Sequence, residues 1–464
     1  MIKFGTDGWR AEIARDFTFE NLTYAALGTA NYLLNKKADN LVVIGYDTRF
    51  LSGDFAMECA KILSEKGIKV VISDSISTTP QVSYFTKALK ADLGIVITAS
   101  HNPPKYSGFK VKGNFGGPSS PEEIAAIEQE VNLVESKQEK ISLKSTENYI
   151  NNGFITLKDF KNEFYEYVKQ QIDIEAINNS NLKIIYDPMF GAGILNIDYL
   201  LKNFDVIHNF HSTNFGNIDH PEPIAECLGE LIEIVKKSNY DYAFATDGDA
   251  DRIGTVDGEG TFVDSHRIFM ILLKYLYEVK GLRGKVAKTV SLTTMVNLFC
   301  EANNIEIIET PVGFKYIAKL MVDEDILIGG EESGGLSTKL HIPERDGIFN
   351  AMLLLEVMVK RGKSLKELSD ELDAQFGVHR YKRKDIKVTE DTKARIMGAC
   401  AKSPKELNGY NVERIDTTDG YKFFVNGGWL IIRASGTEPL LRIYSEANSY
   451  EMVDKLIDAG LNLA

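Results

Sequence analysis

Short apolar runs alternate with polar segments of helical spacing along most of the chain, and the runs fall into three sets. The first set is LVVIGYDTR (41–49), KVVISD (69–74) and LGIVITAS (93–100). The second is LKIIYDP (182–188), DVIHNF (205–210) and DYAFATDGDADR (241–252), and the third is KVAKTVS (285–291), IEIIETP (305–311) and DILIGGEESGG (325–335). Runs of this length, separated by helix-like stretches such as the one beginning near Gly53, predict βαβ units and hence α/β domains. In each set the last strand enters the loop richest in reactive side chains. This predicts three similar α/β domains whose strand ends face a common place. After Gln375 the pattern changes: RYKRKDIKV, YKFFVNGGWLIIRAS and LLRIYSEA read as strands of a smaller α+β domain closed by a helix from Glu451, with antiparallel pairing expected. The charged segment from Glu135 to Asn152 marks the first boundary. The resulting division is 1–150, 151–256, 257–372 and 373–464.

Composition narrows the class. A chain of 464 residues with 44% hydrophobic content supports several cores. A formal net charge of −13 and a pI near 5.2 argue against nucleic acid or an anionic membrane as partner, while leaving room for an anionic small molecule where basic residues converge. The first residues, MIKFGTDGWRAE, lack a signal-peptide core, and the apolar stretch from Ile268 to Val279 is interrupted by Lys274, so no membrane span is expected. Cys59, Cys227, Cys300 and Cys400 are scattered without a CxxC pair, as expected of a cytoplasmic protein.

Four loops carry the candidate chemistry. LGIVITA (93–99) breaks into Ser100, His101, Asn102, Pro103 and Pro104. A serine delivered to the mouth of a buried strand is a candidate nucleophile, although the same residues also make an ordinary turn. The second loop sets Asp247, Asp249 and Asp251 at alternate positions before Arg252. On an extended segment they would share one side, and like charges about 4 Å apart repel by roughly 4 kcal/mol at an effective dielectric near 20. A hard cation relieves this, Mg²⁺ in preference to Ca²⁺ where protein ligands are few and a phosphate is near. An EF-hand is excluded, because Arg252 and Gly258 stand where that loop requires Gly and Glu. In the third loop, GGEESGG (329–335), Glu331 and Ser333 offer a carboxylate and a hydroxyl to neighbouring sugar hydroxyls. In the fourth, Arg433 to Pro439, an arginine, two hydroxyls and a glycine suit a phosphate, and the sequence does not match a P-loop.

Together these loops resemble the α-D-phosphohexomutase family from FGTDGWR (4–10) to RASGTEP (433–439). The resemblance implies a heart-shaped, four-domain protein: three α/β domains with mixed sheets and a smaller C-terminal α+β domain, each giving one loop to a central cleft. It implies a phosphoserine at Ser100 in TASHNP (98–103) and Mg²⁺ ligands at Ser100, Asp247, Asp249 and Asp251. It further implies sugar binding by Glu331 and Ser333, phosphate binding by Arg433, Ser435, Gly436 and Thr437, and cleft-lining roles for Arg10, His101, Lys110 and Arg252. The chemistry expected is transfer of a phosphoryl group from phospho-Ser100 to a hexose monophosphate, turning of the bisphosphate, and return of its other phosphate to Ser100. Lys110 and His101 are the candidates for moving the hydroxyl proton, and Arg10 for steadying charge.

The GEESGG form and the Gly313-Phe314-Lys315 loop resemble the glucose and mannose phosphate members more than the glucosamine phosphate branch, where a glutamine often replaces the second glutamate. Glucose 1-phosphate and glucose 6-phosphate are thus the expected substrates, glucose 1,6-bisphosphate the intermediate and activator, and a monomer or small homo-oligomer the expected state. Phosphomannomutase and phosphoglucosamine mutase activity are the nearest alternatives. A serine phosphomonoesterase and a catalytically silent sugar-phosphate sensor are rivals from other classes. His208, His211 and His220 lack the helical spacing of a metal site, and Asp187 to Gly193 reads as a strand-to-helix turn because Asn196 replaces the third glycine of a nucleotide fingerprint.

Overall fold

The computed structural model describes residues 2–5, 8–36, 40–434 and 440–463, and the chain divides into two compact units, Met1–Gly284 with Gly313–Glu367, and Lys285–Val312 with Leu368–Ala464.

In the first unit, strand Leu93–Ile97 is buried at every position, as its unbroken apolar run requires. It lies inside a mixed sheet ordered Trp9–Glu12, Tyr106–Gly113, Leu93–Ile97, Leu41–Tyr46, Lys69–Ser73, Ile155–Lys158. Leu41–Tyr46 pairs in parallel with both Lys69–Ser73 and Leu93–Ile97, whereas Tyr106–Gly113 runs antiparallel to Leu93–Ile97. The turn at 98–105 therefore joins two adjacent strands, and Lys110 stands opposite Val96. Ile155–Lys158 pairs in parallel with Lys69–Ser73, so this sheet takes in residues beyond Asn152. Helix Thr79–Ala88 begins with a capping box in which Thr78 and Gln81 satisfy each other's backbone N–H groups.

A second mixed sheet is ordered Phe262–Val263, Ile253–Asp257, Tyr242–Thr246, Ile184–Asp187, Asp205–Val206. Here the structure departs from the expected repeat. No α-helix follows Ile184–Asp187. The chain makes a series of turns with Met189, Phe190 and Leu195 at positive φ and one short 3₁₀ segment, Ile197–Tyr199, and DVIHNF contributes a strand of two residues. The glycines that looked like a strand-to-helix turn serve close packing instead: a Cβ on Gly191 would lie 2.8 Å from the Asp247 carbonyl oxygen. Strand Ile326–Gly330 pairs antiparallel with Leu336–Thr338. Helix Gly347–Arg361, capped by the Asp346 side chain, follows the loop after that pair.

In the second unit, Lys285–Thr289 and Ile307–Thr310 pair in parallel. The residues after Gln375 form the antiparallel sheet expected, ordered Arg380–Lys387, Leu440–Ala447, Gly428–Ala434, Tyr421–Val425, Tyr410–Asp416, Glu406–Leu407. Helices Glu390–Ala401 and Tyr450–Leu461 supply Ile396, Cys400, Val453, Leu456 and Ile457 to its core. A second small cluster holds Val290, Trp429, Ile431 and Tyr444.

Buried beside that cluster, Lys422 donates to the Val290 carbonyl at 2.6 Å and lies 4.3 Å from the Trp429 ring centroid. Burial, and after it the charge of Lys288, lower its pKa to about 7. Between that value and the ordinary lysine range the unfolded chain holds a proton that the folded chain has lost, so the stability of this unit rises with pH from about 7 upward. The slope is at most about 1.4 kcal/mol per pH unit. Lys422→Met is expected to flatten that rise in urea melts between pH 7 and 9, without lowering the midpoint at pH 7.

Candidate active site

The acidic loop is a turn and not the extended segment expected. Ala250 adopts φ 61°, its N–H donates to the Asp247 carbonyl at 3.0 Å, and the N–H groups of Asp251 and Arg252 both donate to Asp247 Oδ1 at 2.9 and 3.1 Å. The turn gathers the carboxylates more tightly than alternation along a strand would: one oxygen each from Asp247, Asp249 and Asp251 lie within 4.8 Å of one another, all buried. Burial first, and then the charges of Asp249 and Asp251, push the Asp247 carboxyl well above the ordinary carboxylate range.

Three other segments are tied to this turn by backbone hydrogen bonds. Thr79 N–H donates to the Asp249 carbonyl, Ala192 N–H to that of Gly248 and Gly347 N–H to that of Ala250. Gly248 also packs against the serine loop, where a Cβ would lie 2.3 Å from the Ser100 carbonyl oxygen. Ser100 itself sits at φ 52°, uncommon for a residue with a Cβ, and its Oγ donates to Asp247 Oδ2 at 2.7 Å. His101 Nδ1 lies 3.3 Å from Ser100 Oγ. Lys110, fully buried, places Nζ 2.7 Å from Asp249 Oδ2 and 3.4 Å from Asp251 Oδ2, and Thr79 Oγ1 donates to Asp249 Oδ2 at 2.6 Å. Arg10, on the strand beside Tyr106–Gly113, donates to Asn102 Oδ1 at 2.7 Å.

The glycine-rich loop adjoins the same turn, with Ile253 N–H donating to the Gly334 carbonyl. Glu331 is buried and accepts from Gly313 N–H at 3.0 Å. Burial pushes its carboxyl up to about 7 against the opposing pull of Arg345. Ser333 is half-buried two residues on. Arg252 reaches Glu222 Oε1 at 2.7 Å.

Several members of this cluster escaped the sequence reading. Arg345 bridges Asp251 Oδ2 at 2.6 Å and Glu331 Oε2 at 3.6 Å, joining the acidic turn to the glycine-rich loop. Its neighbour Glu344 accepts from Ser83 Oγ at 2.8 Å and pairs with Lys112 Nζ at 2.7 Å. Arg49 binds the carbonyls of the serine loop. The available signals were charged residues beside apolar runs, DTR at 47–49 and ERD at 344–346, which look locally like ordinary solvated ends.

The acidic turn fits a hard divalent cation. Its donors are all oxygens, and Asp251 Oδ1 is buried with no hydrogen-bond partner, as a carboxylate oxygen reserved for an ion would be. His208, His211 and His220 form no metal-binding cluster among the described residues: His208 pairs with Asp187 at 3.0 Å and His211 faces the Thr48 carbonyl. Arg433 belongs to the second unit, where Nε donates to Asp419 Oδ1 at 2.7 Å. Ser435, Gly436 and Thr437 lie outside the described residues. Among the described residues, no helix is long and apolar enough to cross a membrane.

Comparison with known proteins gives consistent matches along the whole chain. Residues 1–138, 162–260 and 264–376 match the families described as phosphoglucomutase/phosphomannomutase alpha/beta/alpha domains I, II and III, and residues 358–462 match the C-terminal domain of the same group. A phosphoglucomutase/phosphomannomutase of Thermococcus kodakarensis is 32% identical, the alignment covering 99% of this chain and 98% of the relative. A phosphoglucosamine mutase of Limosilactobacillus reuteri is 31% identical over 98% and 96%. The crystal structure of a candidate phosphomannomutase from Thermus thermophilus superposes with a TM-score of 0.87 at 35% identity, covering 100% of this chain and 98% of that one. Matched in all four segments and nearly end to end, the chain belongs to the phosphoglucomutase/phosphomannomutase family of sugar-phosphate isomerases.

Proposed function

We propose that this enzyme interconverts hexose 1-phosphate and hexose 6-phosphate, with glucose the preferred sugar, through phospho-Ser100 and glucose 1,6-bisphosphate. The observation that carries the reading is the 2.7 Å bond from Ser100 Oγ to Asp247, which sets a nucleophilic hydroxyl against a site suited to a divalent cation. A phosphoryl group on Ser100 would share that site. Asp247, Asp249, Asp251 and the Ser100 oxygen would hold Mg²⁺, which when bound neutralises charge on the transferred group.

The chain's own residues do the remainder. His101, with Nδ1 beside the Ser100 oxygen, and Lys110, with Nζ beside Asp249, are assigned the proton on the accepting hydroxyl. Arg10 and Arg252 supply fixed positive charge. Glu331 and Ser333 accept from and donate to the sugar hydroxyls in both of its orientations, and Arg433 with Ser435, Gly436 and Thr437 holds the phosphate that is not reacting. In this reading four segments, divided near residues 150, 256 and 372, contribute one loop each. The GEESGG form of the third loop favours glucose over glucosamine as the sugar.

Ser100→Ala is expected to lower turnover of glucose 1-phosphate by at least about 10³-fold with an unchanged circular dichroism spectrum; full activity in that variant refutes the phosphoserine route. In a coupled assay, chelator should abolish activity and Mg²⁺ restore it, with glucose 1-phosphate turned over faster than mannose 1-phosphate or glucosamine 1-phosphate. Release of inorganic phosphate faster than isomerisation would instead identify a phosphomonoesterase. Because burial raises the Glu331 carboxyl to about 7, it loses acceptor capacity as pH falls through that value. The ratio kcat/KM should therefore drop on the acid side of about 7, and Glu331→Gln should remove that limb while lowering the plateau about 10²-fold.

A further inference from the structure

All five guanidinium N–H groups of Arg49 are used, three of them on the serine turn and a fourth on the first residue of the strand that follows it. Nη1 donates to the carbonyls of Pro103 and Tyr106, both at 2.8 Å. Nη2 donates to those of Ser100 at 2.6 Å and Asn102 at 2.7 Å. The fifth, on Nε, donates to Asp47 Oδ2 at 3.0 Å. Both side chains of this ion pair are fully buried, and the guanidinium lies 4.8 Å from the Phe215 ring centroid. Four carbonyls turned toward one point repel each other and, away from water, need donors. A planar fork with five donors answers that need, and a lysine ammonium with three does not.

The anionic partner reaches the same loop by a second route. Asp47 Oδ2 also accepts from Thr98 Oγ1 at 2.6 Å, and Thr98 Oγ1 accepts from the Ser100 N–H at 2.9 Å. Since the Thr98 proton is committed to Asp47, its lone pair is turned toward Ser100. Asp47 is itself fixed, Oδ1 accepting from Arg49 N–H at 2.9 Å and Ser52 Oγ at 2.7 Å. Ser100 is thus held at its N–H through Thr98 and at its carbonyl by Arg49, and between those two anchors its backbone takes the left-handed conformation at φ 52°.

We propose that Asp47, Thr98 and Arg49 form a clamp that holds Ser100 in the left-handed conformation from which it exchanges a phosphoryl group, making them positioning residues for the reaction. The proposal rests on Ser100 as the nucleophile. A serine that alternates between hydroxyl and phosphate changes its charge by nearly two units in each cycle. A loop held by an internally neutral ion pair keeps its shape through that change, so the oxygen stays aligned with the accepting hydroxyl.

The test compares Thr98→Val, Thr98→Ser and Arg49→Lys with wild type, and Ser100→Ala runs in parallel. The measurements are kcat and KM for glucose 1-phosphate, the rate at which intact mass gains one phosphoryl group on exposure to glucose 1,6-bisphosphate, and the thermal midpoint. Expected are a fall in kcat of about 10²-fold in Thr98→Val and Arg49→Lys, KM within about threefold, slowed phosphoryl uptake, and near-wild-type kcat in Thr98→Ser, which keeps the hydroxyl. Wild-type kcat and uptake in Thr98→Val overturn the clamp, as does a loss that merely follows the fraction unfolded. Should Arg49→Lys fail to fold, Thr98→Val decides. Retained activity in Ser100→Ala refutes the nucleophile itself, whereas an inactive Ser100→Ala beside a fully active Thr98→Val refutes the clamp alone.

Discussion

Three carboxylates held within 4.8 Å of one another in the protein interior are the constraint around which the first unit is arranged. Such a cluster is intolerable without compensation, and the compensation comes from separate parts of the chain. Lys110 arrives from a strand of the first sheet, Thr79 from the start of a helix, Ser100 from the turn between two strands and Arg345 from the loop before helix Gly347–Arg361. Each partner satisfies a carboxylate and in doing so fixes its own loop at a defined distance from the others. Charge crowding here acts as an assembly principle, since loops remote in sequence meet because one anionic turn needs all of them.

What was legible in the sequence was what neighbouring residues decide. Strand Leu93–Ile97 and the loop that follows it could be read because a run of four aliphatic residues and a glycine, followed by two prolines, leaves little choice. The acidic triad could be read because its members are two apart. Arg345 and Arg49 could not, because their meaning lies in partners across the fold: Arg345 meets Asp251, almost a hundred positions earlier, and Arg49 meets carbonyl groups, which no sequence displays. The second sheet was misjudged in one respect for a related reason. Asp187 to Gly193 has the composition of a phosphate-binding turn, but Gly191 lets the backbone pass close to Gly248 and Gly193 leaves room for the Tyr186 hydroxyl.

Membership of a family whose members carry names for glucose, mannose and glucosamine phosphates fits the division of labour proposed for this site. In the proposed reaction the serine, the acidic turn and their cationic partners meet the phosphoryl group, which is the same in every sugar phosphate, and so have no reason to distinguish sugars. Under the same proposal discrimination falls to groups that meet the ring, and Glu331, assigned to it there, is held between Gly313 N–H and Arg345. Arg345 also touches Asp251, so one guanidinium joins the acidic turn to the glycine-rich loop, the two parts to which the proposal gives phosphoryl transfer and sugar recognition.

The contact between Gly248 and the Ser100 carbonyl has a consequence for protein engineering. With no room for even a methyl group at 248, the serine loop and the acidic turn form one mechanical part, though they lie almost 150 residues apart. A chimaera that imports either segment from a cousin without the other would inherit a mismatched joint. The natural cassette for exchange is the pair, transplanted together.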